Sequence, residues 1–542
     1  MSSLVTAIDW AIIGVYLAGL IALSAWLSRS QHSRGDYYVA GRQTGAWPIA
    51  ISIMATQCST NSILGAPAFV AFAAGGGLIW LQYELAVPIA MIVVMVFLLP
   101  LFRNLSLISV YDYLERRFDL STRLWLSGIF QVLRAFATAV TVYSISLVVE
   151  LISGLSFFWS VMLLGVMTVI YDVLGGIRAV IYSDVIQMII LVVVLLLLFG
   201  LLLNAIGGFD QLLAGLPQER RAALDFAHHG LGDGHDFAFW PMLFGGIFLY
   251  VSYYGCDQSQ VQRELCARTV DDGNRALFIN GLLRFPLVLL YCLIGAGLAV
   301  YAAGEPGFIA GLPKNGDVPN YNLAVPLYMI QQLPTGIVGI ALVALFAAAM
   351  SSLDSVINSL SATTMEDFVR RLHSGAGWSD VRELRYSRLL TFAWGATTLT
   401  MAFYVGQIAD TVLVAINKIG SLINGPVLGV FALGVLSRHC NGRGARAGLA
   451  AGFVLNLFCW QFVPQLSWLW WNVFGFLATV TVGYGVSFTG ARPMQDLALL
   501  VWSPRRYAQF GFAVNWLPRY GWLLGWFVFL VATLALFGEV RQ

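Results

Sequence analysis

Long apolar runs recur along this chain, and they restrict its fold more than any other feature of the sequence. A helix needs roughly 20 predominantly apolar residues to cross the hydrocarbon core of a bilayer. Fourteen runs come close to this length, at residues 7–27, 48–75, 79–103, 122–153, 157–174, 182–204, 238–256, 276–302, 335–363, 384–405, 411–437, 445–463, 467–488 and 521–538. The sequence therefore predicts an all-α polytopic membrane protein with about 14 transmembrane helices.

The composition agrees with this fold class and excludes others. Of the 542 residues, 59% are hydrophobic and 11% are charged, whereas a soluble domain carries about 25% charged residues. The segments between the apolar runs reach only about 30 residues, which is too short for a folded soluble domain. The sequence also lacks a Walker A motif and a basic nucleic-acid patch. We therefore expect no enzyme and no nucleic-acid partner, but a monomer-competent protein whose partners are the lipid bilayer and a small-molecule solute.

Basic residues are distributed unevenly between the two sides of the predicted spans. If the N-terminus lies outside, the outer segments hold only Arg220, Arg221, Lys314 and Arg541, and three further cations lie inside spans. The remaining 23 of 30 Lys and Arg residues then lie in cytoplasmic loops or at the helix ends beside them. Since basic loops stay in the cytoplasm, we expect a multi-pass protein of the cell inner (plasma) membrane with both termini outside.

Cysteine and histidine give little indication of a metal centre. The six Cys residues show no CxxC or metal-ligand spacing, and we interpret them as small residues without a disulfide. His228, His229 and His235 lie close together in the predicted outer loop 205–237. They are able to bind a metal, as a membrane-embedded enzyme would require. Because Gly and Asp surround them, we favour a flexible loop instead.

Residues 55–62 form a mostly polar stretch within an otherwise apolar span, and Gly65 and Pro67 follow it. Polar groups are costly in a straight membrane helix. In an interrupted helix, freed carbonyl groups coordinate a cation and freed N–H groups meet a substrate. We favour this interpretation over helix packing through small polar residues, which is the alternative.

Hydroxyl groups line one face of the predicted span 335–363. At 3.6 residues per turn, Ala348, Ser351, Ser352 and Ser355 fall on one stripe, and Asp354 lies at its edge. Oxygen ligands in a row suit a hard cation. The alternative is a packing face of small residues.

Another acidic residue lies where two predicted spans meet on the cytoplasmic side. The pair Gly175-Gly176 closes the span 157–174, a short turn follows, and Asp184 lies near the start of the next span. This carboxylate is suited to cation exit, or alternatively to capping the helix.

Three cations lie inside predicted spans, namely Arg134, Arg284 and Lys418. Few acids are available there as partners, and they are Glu84, Glu150 and Asp354. An excess of buried cations over buried acids favours an anionic ligand such as a carboxylate.

Several motifs resemble the sodium/solute symporter family, which includes the sodium–glucose and sodium–monocarboxylate cotransporters. In chain order they are Tyr38-Val39-Ala40-Gly41-Arg42, Tyr171-x-x-x-Gly175-Gly176 with Ser183-Asp184-x-x-Gln187, Tyr253-Tyr254-Gly255-Cys256-Asp257-Gln258-x-x-Val261-Gln262-Arg263, Ser351-Ser352-x-x-Ser355-x-x-Asn358-Ser359 and Asn424-Gly425-Pro426-x-Leu428-Gly429. Each is weak alone, but their order is specific.

The resemblance implies an inverted five-helix-repeat transporter core whose first helix is broken. The two repeats would occupy residues 48–204 and 238–437, with the extracytoplasmic loop 205–237 between them. Residues 1–47 would form a peripheral first helix and a cytoplasmic loop, and residues 438–542 peripheral C-terminal helices.

The resemblance also implies a coupling ion, Na⁺, and its ligands. The matching positions are Ala55, Cys58, Ala348, Ser351 and Ser352. Some members bind a second sodium, which here would involve Asp184, Ser351 and Ser355. Asp354 stands where such members often have a neutral hydroxyl, so it would alter the geometry of that second site.

Substrate positions carried over from the family are Gln57, Ser59, Ser62, Gln82, Arg134, Tyr253, Arg284 and Lys418. Tyr253 resembles an aromatic gate, and Arg134 resembles an arginine that binds carboxylate in sialic-acid transporters. The implied function is sodium-coupled symport of a small organic solute into the cell by alternating access, with a carboxylate-bearing substrate. A sodium/sugar cotransporter is the alternative, and a proton-coupled symporter or a membrane-embedded sensor fits less well.

Overall fold

The computed structural model describes residues 5–315, 317–372, 378–405, 409–489 and 497–539, with only the backbone described at 60–61, 315, 409–417 and 537–539. Within these ranges the chain is helical apart from its loops and one pair of two-residue antiparallel strands, Lys314–Asn315 and Val318–Pro319. Each of the fourteen predicted runs coincides with helix in the structure. Among the described residues, eight helices are long and apolar enough to cross a membrane, so a multi-pass protein is supported while the number fourteen stays a prediction.

The α-helices have the following bounds: Ala7–Ser28, Arg34–Val39, Ala46–Gln57, Thr60–Phe72, Leu81–Glu84, Ala86–Val93, Leu99–Asn104, Asp112–Arg117, Leu120–Ser153, Phe157–Ile206, Phe209–Gly215, Gln218–Arg221, Gly246–Cys256, Gln258–Leu265, Val270–Gly304, Pro306–Ala310, Ala324–Gln332, Ile337–Thr363, Arg370–Leu372, Asp380–Val405, Ala409–Leu436, Gly442–Phe462, Trp470–Ser487, Pro504–Ala508 and Leu517–Glu539. Wider π-helical turns lie at Val94–Leu98, Pro241–Gly245 and Thr364–Val369. Short 3₁₀ turns lie at Ala40–Arg42, Leu78–Trp80, Tyr321–Leu323 and Leu497–Leu499.

The polar stretch within the second apolar run interrupts its helix, as the sequence predicts. Ala46–Gln57 ends at Cys58, whose ψ of 59° departs from helical geometry, and Ser59 is extended before Thr60–Phe72 begins. We call these two segments together the interrupted helix. The break leaves carbonyl groups at the end of the first segment without the next helical turn to bond them.

The predicted turn between spans five and six is a kink within one long helix, Phe157–Ile206. Gly176 has a φ of 53° there, a conformation that L side chains rarely adopt. A Cβ atom at this position would also lie 2.6 Å from the carbonyl oxygen of Tyr37. Glycine therefore permits both the kink and the close approach of the short cytoplasmic helix Arg34–Val39.

The helix Ile337–Thr363, which we call the serine helix, lies at the centre of the molecule. In its most apolar window, 83% of residues are buried by protein, against 28% for Ala7–Ser28 and 22% for Leu517–Leu536. The first and last helices therefore present most of their surface outward. This arrangement accords with peripheral roles for both, although the repeat boundaries remain predictions.

A second glycine sets a close helix contact on the interrupted helix. A Cβ atom at Gly295, on the helix Val270–Gly304, would lie 2.7 Å from the carbonyl oxygen of Pro67. The absence of a side chain lets the two backbones touch over the outer segment Thr60–Phe72.

Hydrogen bonds connect residues near the C-terminal end of the predicted outer loop 205–237. Asp233 accepts backbone N–H groups from His229 at 2.8 Å, Gly230 at 3.1 Å and His235 at 3.1 Å. Although burial raises the pKa of Asp233, these N–H groups and the nearby His229 bring it to about 2. The Gly230 carbonyl also accepts the Ser467 N–H at 2.9 Å, which ties the loop to the segment between the helices Gly442–Phe462 and Trp470–Ser487.

Candidate functional site

The interrupted helix and the serine helix meet at the residues predicted to bind sodium. The Ser351 hydroxyl donates to the carbonyl oxygens of Ala55 at 3.3 Å and Ala348 at 3.2 Å. The Ser352 hydroxyl lies 3.3 Å from the carbonyl oxygens of Thr56 and Ala348. Two hydroxyl and three carbonyl oxygens thus converge on one small region between the two helices.

This convergence has the chemistry of a site for a hard monovalent cation, because every converging atom is an uncharged oxygen. Ala55, Ala348 and Ser351 are buried, and Ser352 is half-buried. Cys58 is buried at the end of the first segment, and its Sγ accepts from Nη1 of Arg284 at 3.4 Å. The Thr56 carbonyl was not among the predicted ligands, although its position in the polar stretch 55–62 was a usable signal.

Asp184 is buried and contacts groups from two other helices, Ala46–Gln57 and Gln258–Leu265. Its Oδ2 accepts from the Ser52 hydroxyl at 2.5 Å and lies 3.4 Å from Nη2 of Arg263. The same Nη2 donates to the Ser355 hydroxyl. The Arg263 guanidinium therefore lies between two residues predicted for a second sodium, and sequence reasoning did not identify it in this role.

Two further carboxylates are buried around the same arginine. Asp354 accepts from the Tyr171 hydroxyl through Oδ2, and its Oδ1 accepts from the Ser355 hydroxyl at 3.1 Å. Asp172 accepts from Nδ2 of Asn358 at 3.0 Å. Oδ1 of Asp184 and Oδ2 of Asp172 have no hydrogen-bond partner among the described residues. Three buried acids around one arginine favour a bound cation or proton.

Arg134 is paired with an acid that the sequence analysis did not name as its partner. Its Nε donates to Oδ2 of Asp257 at 2.6 Å, and its Nη2 contacts the same oxygen. The guanidinium also lies over the Tyr253 ring, 5.1 Å from the centroid. With 26% of its side chain exposed and Nη1 bonded to none of the described residues, Arg134 retains donors for a ligand.

Arg284 is more deeply buried than Arg134, and its guanidinium donors contact protein groups. Its Nε and Nη2 lie 3.1 and 3.4 Å from the two carboxylate oxygens of Glu84, and its Nη1 contacts Cys58. The Tyr250 hydroxyl donates to Glu84 at 3.1 Å. Only 5% of the Arg284 side chain is exposed, so its charge is neutralised within the protein.

The remaining predicted substrate residues lie in different surroundings. Gln57 accepts from the Tyr254 hydroxyl, and its carbonyl oxygen accepts from the Ser62 hydroxyl at 3.3 Å. Ser59 caps the second segment of the interrupted helix with extended backbone. The Tyr253 hydroxyl accepts from Gln260 at 2.7 Å.

Gln82 and Lys418 face the outer loop. Gln82 is buried, donates to the Phe237 carbonyl at 2.6 Å and accepts the Asp225 N–H at 3.2 Å. Burial raises the pKa of Asp236, and the charge of Lys418 opposes this shift, which places Lys418 near the same loop. These two side chains are thus separated from the pair Arg134 and Asp257 at the end of the helix Gly246–Cys256.

Comparison with known proteins agrees with this geometry. Residues 37–452 match the sodium:solute symporter family. The sodium/sialic acid symporter NanT of Aliivibrio fischeri is 30% identical over 474 residues, which cover 86% of this chain and 90% of that protein. Human sodium-coupled monocarboxylate transporter 1 is 28% identical over 456 residues, covering 82% of this chain and 72% of that protein.

Solved structures share the fold. A substrate-bound, outward-open Na⁺-coupled sialic acid symporter superposes with a TM-score of 0.81 at 24% identity, covering 90% of this chain and 99% of that one. The nucleobase-cation symporter Mhp1 in a closed conformation gives a TM-score of 0.56 at 14% identity, covering 88% and 98%. The match of residues 37–452 to the family model and the 30% identity to NanT show that the chain belongs to the sodium:solute symporter family.

Proposed function

We propose that this protein carries a small carboxylate-bearing solute into the cell together with Na⁺, by alternating access. The observation that carries the proposal is the contact of the Ser351 and Ser352 hydroxyls with the carbonyls of Ala55 and Thr56. These oxygens come from two helices far apart in sequence, so an ion bound between them links the two helices directly.

An ion bound between the two helices couples sodium binding to solute binding. Sodium is held well only while the interrupted helix and the serine helix keep this separation, so its binding favours the arrangement in which the solute site is complete. By reciprocity, a solute that favours the same arrangement raises the affinity for sodium. Inward movement of each positive charge contributes about 2.3 kcal/mol per 100 mV of membrane potential.

Arg134 is the residue that we assign to the solute carboxylate. Planar guanidinium groups recognise carboxylates through paired hydrogen bonds. Arg134 is partly exposed and its Nη1 bonds to none of the residues that the structure describes, whereas Arg284 directs its donors at Glu84 and Cys58. The sialic acid and monocarboxylate specificities of the relatives support this substrate class.

We assign a second sodium to the region of Asp184, Ser351 and Ser355, with Asp354 close by. Three buried carboxylates lie around Arg263 in this region. Their combined negative charge is larger than the positive charge of the arginine, and this excess supports a bound cation. Since Arg263 contacts both Asp184 and Ser355, a sodium ion enters by sharing these oxygens with the guanidinium. Protonation of one carboxylate is the competing possibility, and it corresponds to a proton-coupled symporter.

A sodium/sugar cotransporter is the second candidate. The buried Glu84 and Arg284 pair offers both acceptors and donors without net charge, which suits the hydroxyl groups of a neutral sugar. In this case Gln57, Ser59 and Ser62 would add further polar contacts at the helix break.

The test is uptake of labelled solutes by proteoliposomes under an imposed sodium gradient. Sialic acid, short monocarboxylates and neutral hexoses are compared, each with sodium or with choline in the outer medium. Uptake of a carboxylate that requires sodium supports the proposal. Uptake of a hexose instead favours the second candidate, and uptake that is unchanged in choline contradicts both.

A further inference from the structure

Three potential metal ligands meet in the predicted outer loop 205–237. The ligand atoms of Asp225, His228 and His235 all lie within 4.8 Å of one another. Nδ1 of His228 lies 2.8 Å from Oδ2 of Asp225, and the rings of His228 and His235 stack with their centroids 3.5 Å apart. His229, by contrast, turns away toward Asp233. The three histidines lie close together in the sequence. In the structure, only His228 and His235 lie together with an aspartate, Asp225.

The types of ligand atom in this cluster determine which class of metal ion it is suited to bind. Two imidazole nitrogens and one carboxylate oxygen suit zinc and similar divalent transition metals, whereas calcium and magnesium prefer oxygen ligands alone. A tetrahedral zinc ion with bonds of about 2.0–2.1 Å separates neighbouring ligand atoms by about 3.3 Å. The Asp225 and His228 atoms need only move apart by about half an ångström to reach this spacing. The stacked ring of His235 has to turn so that a nitrogen lone pair in its plane meets the ion, and its exposure leaves room for this rotation and for a water molecule as fourth ligand.

The segment that carries these ligands is already held in place. Oδ1 of Asp225 accepts the N–H groups of Ala227 at 3.1 Å and His228 at 3.3 Å. Asp233 organises the turn before His235 through its three N–H contacts. Since the backbone is fixed at both ends, ion binding has to order only side chains, which lowers its entropic cost.

The same segment is bonded to Gln82 of the transport core. The Asp225 N–H donates to the Gln82 side chain at 3.2 Å, and the Gln82 amide donates to the Phe237 carbonyl at 2.6 Å. Asp225 is the first of the three candidate ligands in sequence, and Phe237 lies two residues after the last one, His235. An ion that joins Asp225 to His235 therefore closes a short loop directly over Gln82.

We propose that Asp225, His228 and His235 form a binding site for a divalent transition-metal ion such as Zn²⁺, on the face of the protein that the arginine distribution assigns to the outside. The ion fixes the loop segment that covers Gln82. None of the three ligands is among the residues predicted to bind sodium or solute, and the proposal does not depend on the substrate assigned above.

The test is equilibrium dialysis of the full-length protein in detergent against Zn²⁺, after removal of any polyhistidine tag and treatment with EDTA. We expect one Zn²⁺ per chain. His228→Ala and His235→Ala each weaken binding at least tenfold. His229→Ala is the matched control, since it removes a neighbouring histidine of the same loop and leaves binding unchanged.

A second measurement reports the ligand geometry. Co²⁺ substituted into the wild-type protein gives the intense visible bands of a tetrahedral ion, and His235→Ala abolishes them. Because His235 is exposed, its replacement leaves folding intact, which the melting temperature verifies. A wild-type protein that binds no Zn²⁺, a His235→Ala variant that binds it as tightly, or a His229→Ala variant that loses it would each overturn the proposal.

Discussion

The Ser352 hydroxyl lies 3.3 Å from the carbonyl oxygen of Thr56, and this contact joins the serine helix to the interrupted helix at its break. Neighbouring Ser351 makes the same kind of contact with Ala55. The two helices are thus connected by hydroxyl groups whose oxygen lone pairs are also available to a cation.

Ser352→Ala is expected to weaken sodium binding. Loss of one contact to a charged group costs about 1.5–3 kcal/mol, which corresponds to a roughly 10- to 100-fold higher sodium concentration at half-maximal uptake. Ser352→Thr keeps the hydroxyl and should stay close to wild type. Uptake by proteoliposomes at varied external sodium measures the change.

The matched control for this prediction is Ser359→Ala. Ser359 is also buried on the serine helix, but its hydroxyl donates to the Ser355 carbonyl at 2.7 Å, away from the break. Equal loss of sodium affinity in Ser359→Ala and Ser352→Ala would show that the effect is one of packing and would contradict the assignment.

Arg134→Lys is expected to lower the affinity for a carboxylate solute roughly 10- to 100-fold, because lysine keeps the charge but loses the planar pair of donors. Asp257→Asn should act in the opposite direction. It removes the carboxylate that competes for Arg134, so solute affinity is retained or increased. Solute titrations at saturating sodium measure both variants, and a parallel loss in the two would argue that the pair is only structural.

Glu84→Gln is expected to destabilise the fold by about 3–5 kcal/mol, since it leaves Arg284 as a buried charge without its partner. The double variant Glu84→Gln with Arg284→Gln removes both charges and should recover much of the loss. Melting temperatures in detergent measure the series. Simple additivity of the two single effects would mean that the ion pair is not the cause.

Asp184→Asn is expected to remove the second sodium while leaving solute uptake sodium-dependent. The ratio of labelled sodium to solute then falls, and a sigmoidal dependence on sodium becomes hyperbolic. The charge lost is the one that faces Arg263, whereas the oxygens at Ser351 and Ser352 remain. An unchanged ratio in this variant would exclude Asp184 as a ligand of a coupled ion.

External Zn²⁺ is expected to slow sodium-driven uptake, because an ion on Asp225, His228 and His235 holds the loop over Gln82. Chelation by EDTA should restore the rate. The His235→Ala variant should be insensitive to Zn²⁺, while His229→Ala responds like the wild type. Inhibition that persists in His235→Ala would place the effect of Zn²⁺ at another site.

The sequence alone was sufficient to predict features that depend on residues close together along the chain. The polar residues 55–62 predicted a break that the structure has at Cys58 and Ser59, and helical periodicity predicted the stripe of Ser351 and Ser352. Both signals arise from a mismatch between polar groups and an apolar span, which is visible without knowledge of the fold.

Contacts between distant residues were not predictable in this way. Asp257 lies 123 residues from Arg134, and Arg263 lies 79 residues from Asp184. A single sequence does not show which acid pairs with which arginine, because this pairing depends on how the helices are arranged in space. The tie between Gln82 and the outer loop was missed for the same reason.

The bare backbone at Gly295 has a mechanical consequence. Because Gly295 has no side chain, the backbone of the helix Val270–Gly304 lies directly against Pro67 of the interrupted helix. Under the alternating access proposed above, we expect these two closely packed helices to move together as one rigid unit. Motion relative to the serine helix is then concentrated at the two residues of the break.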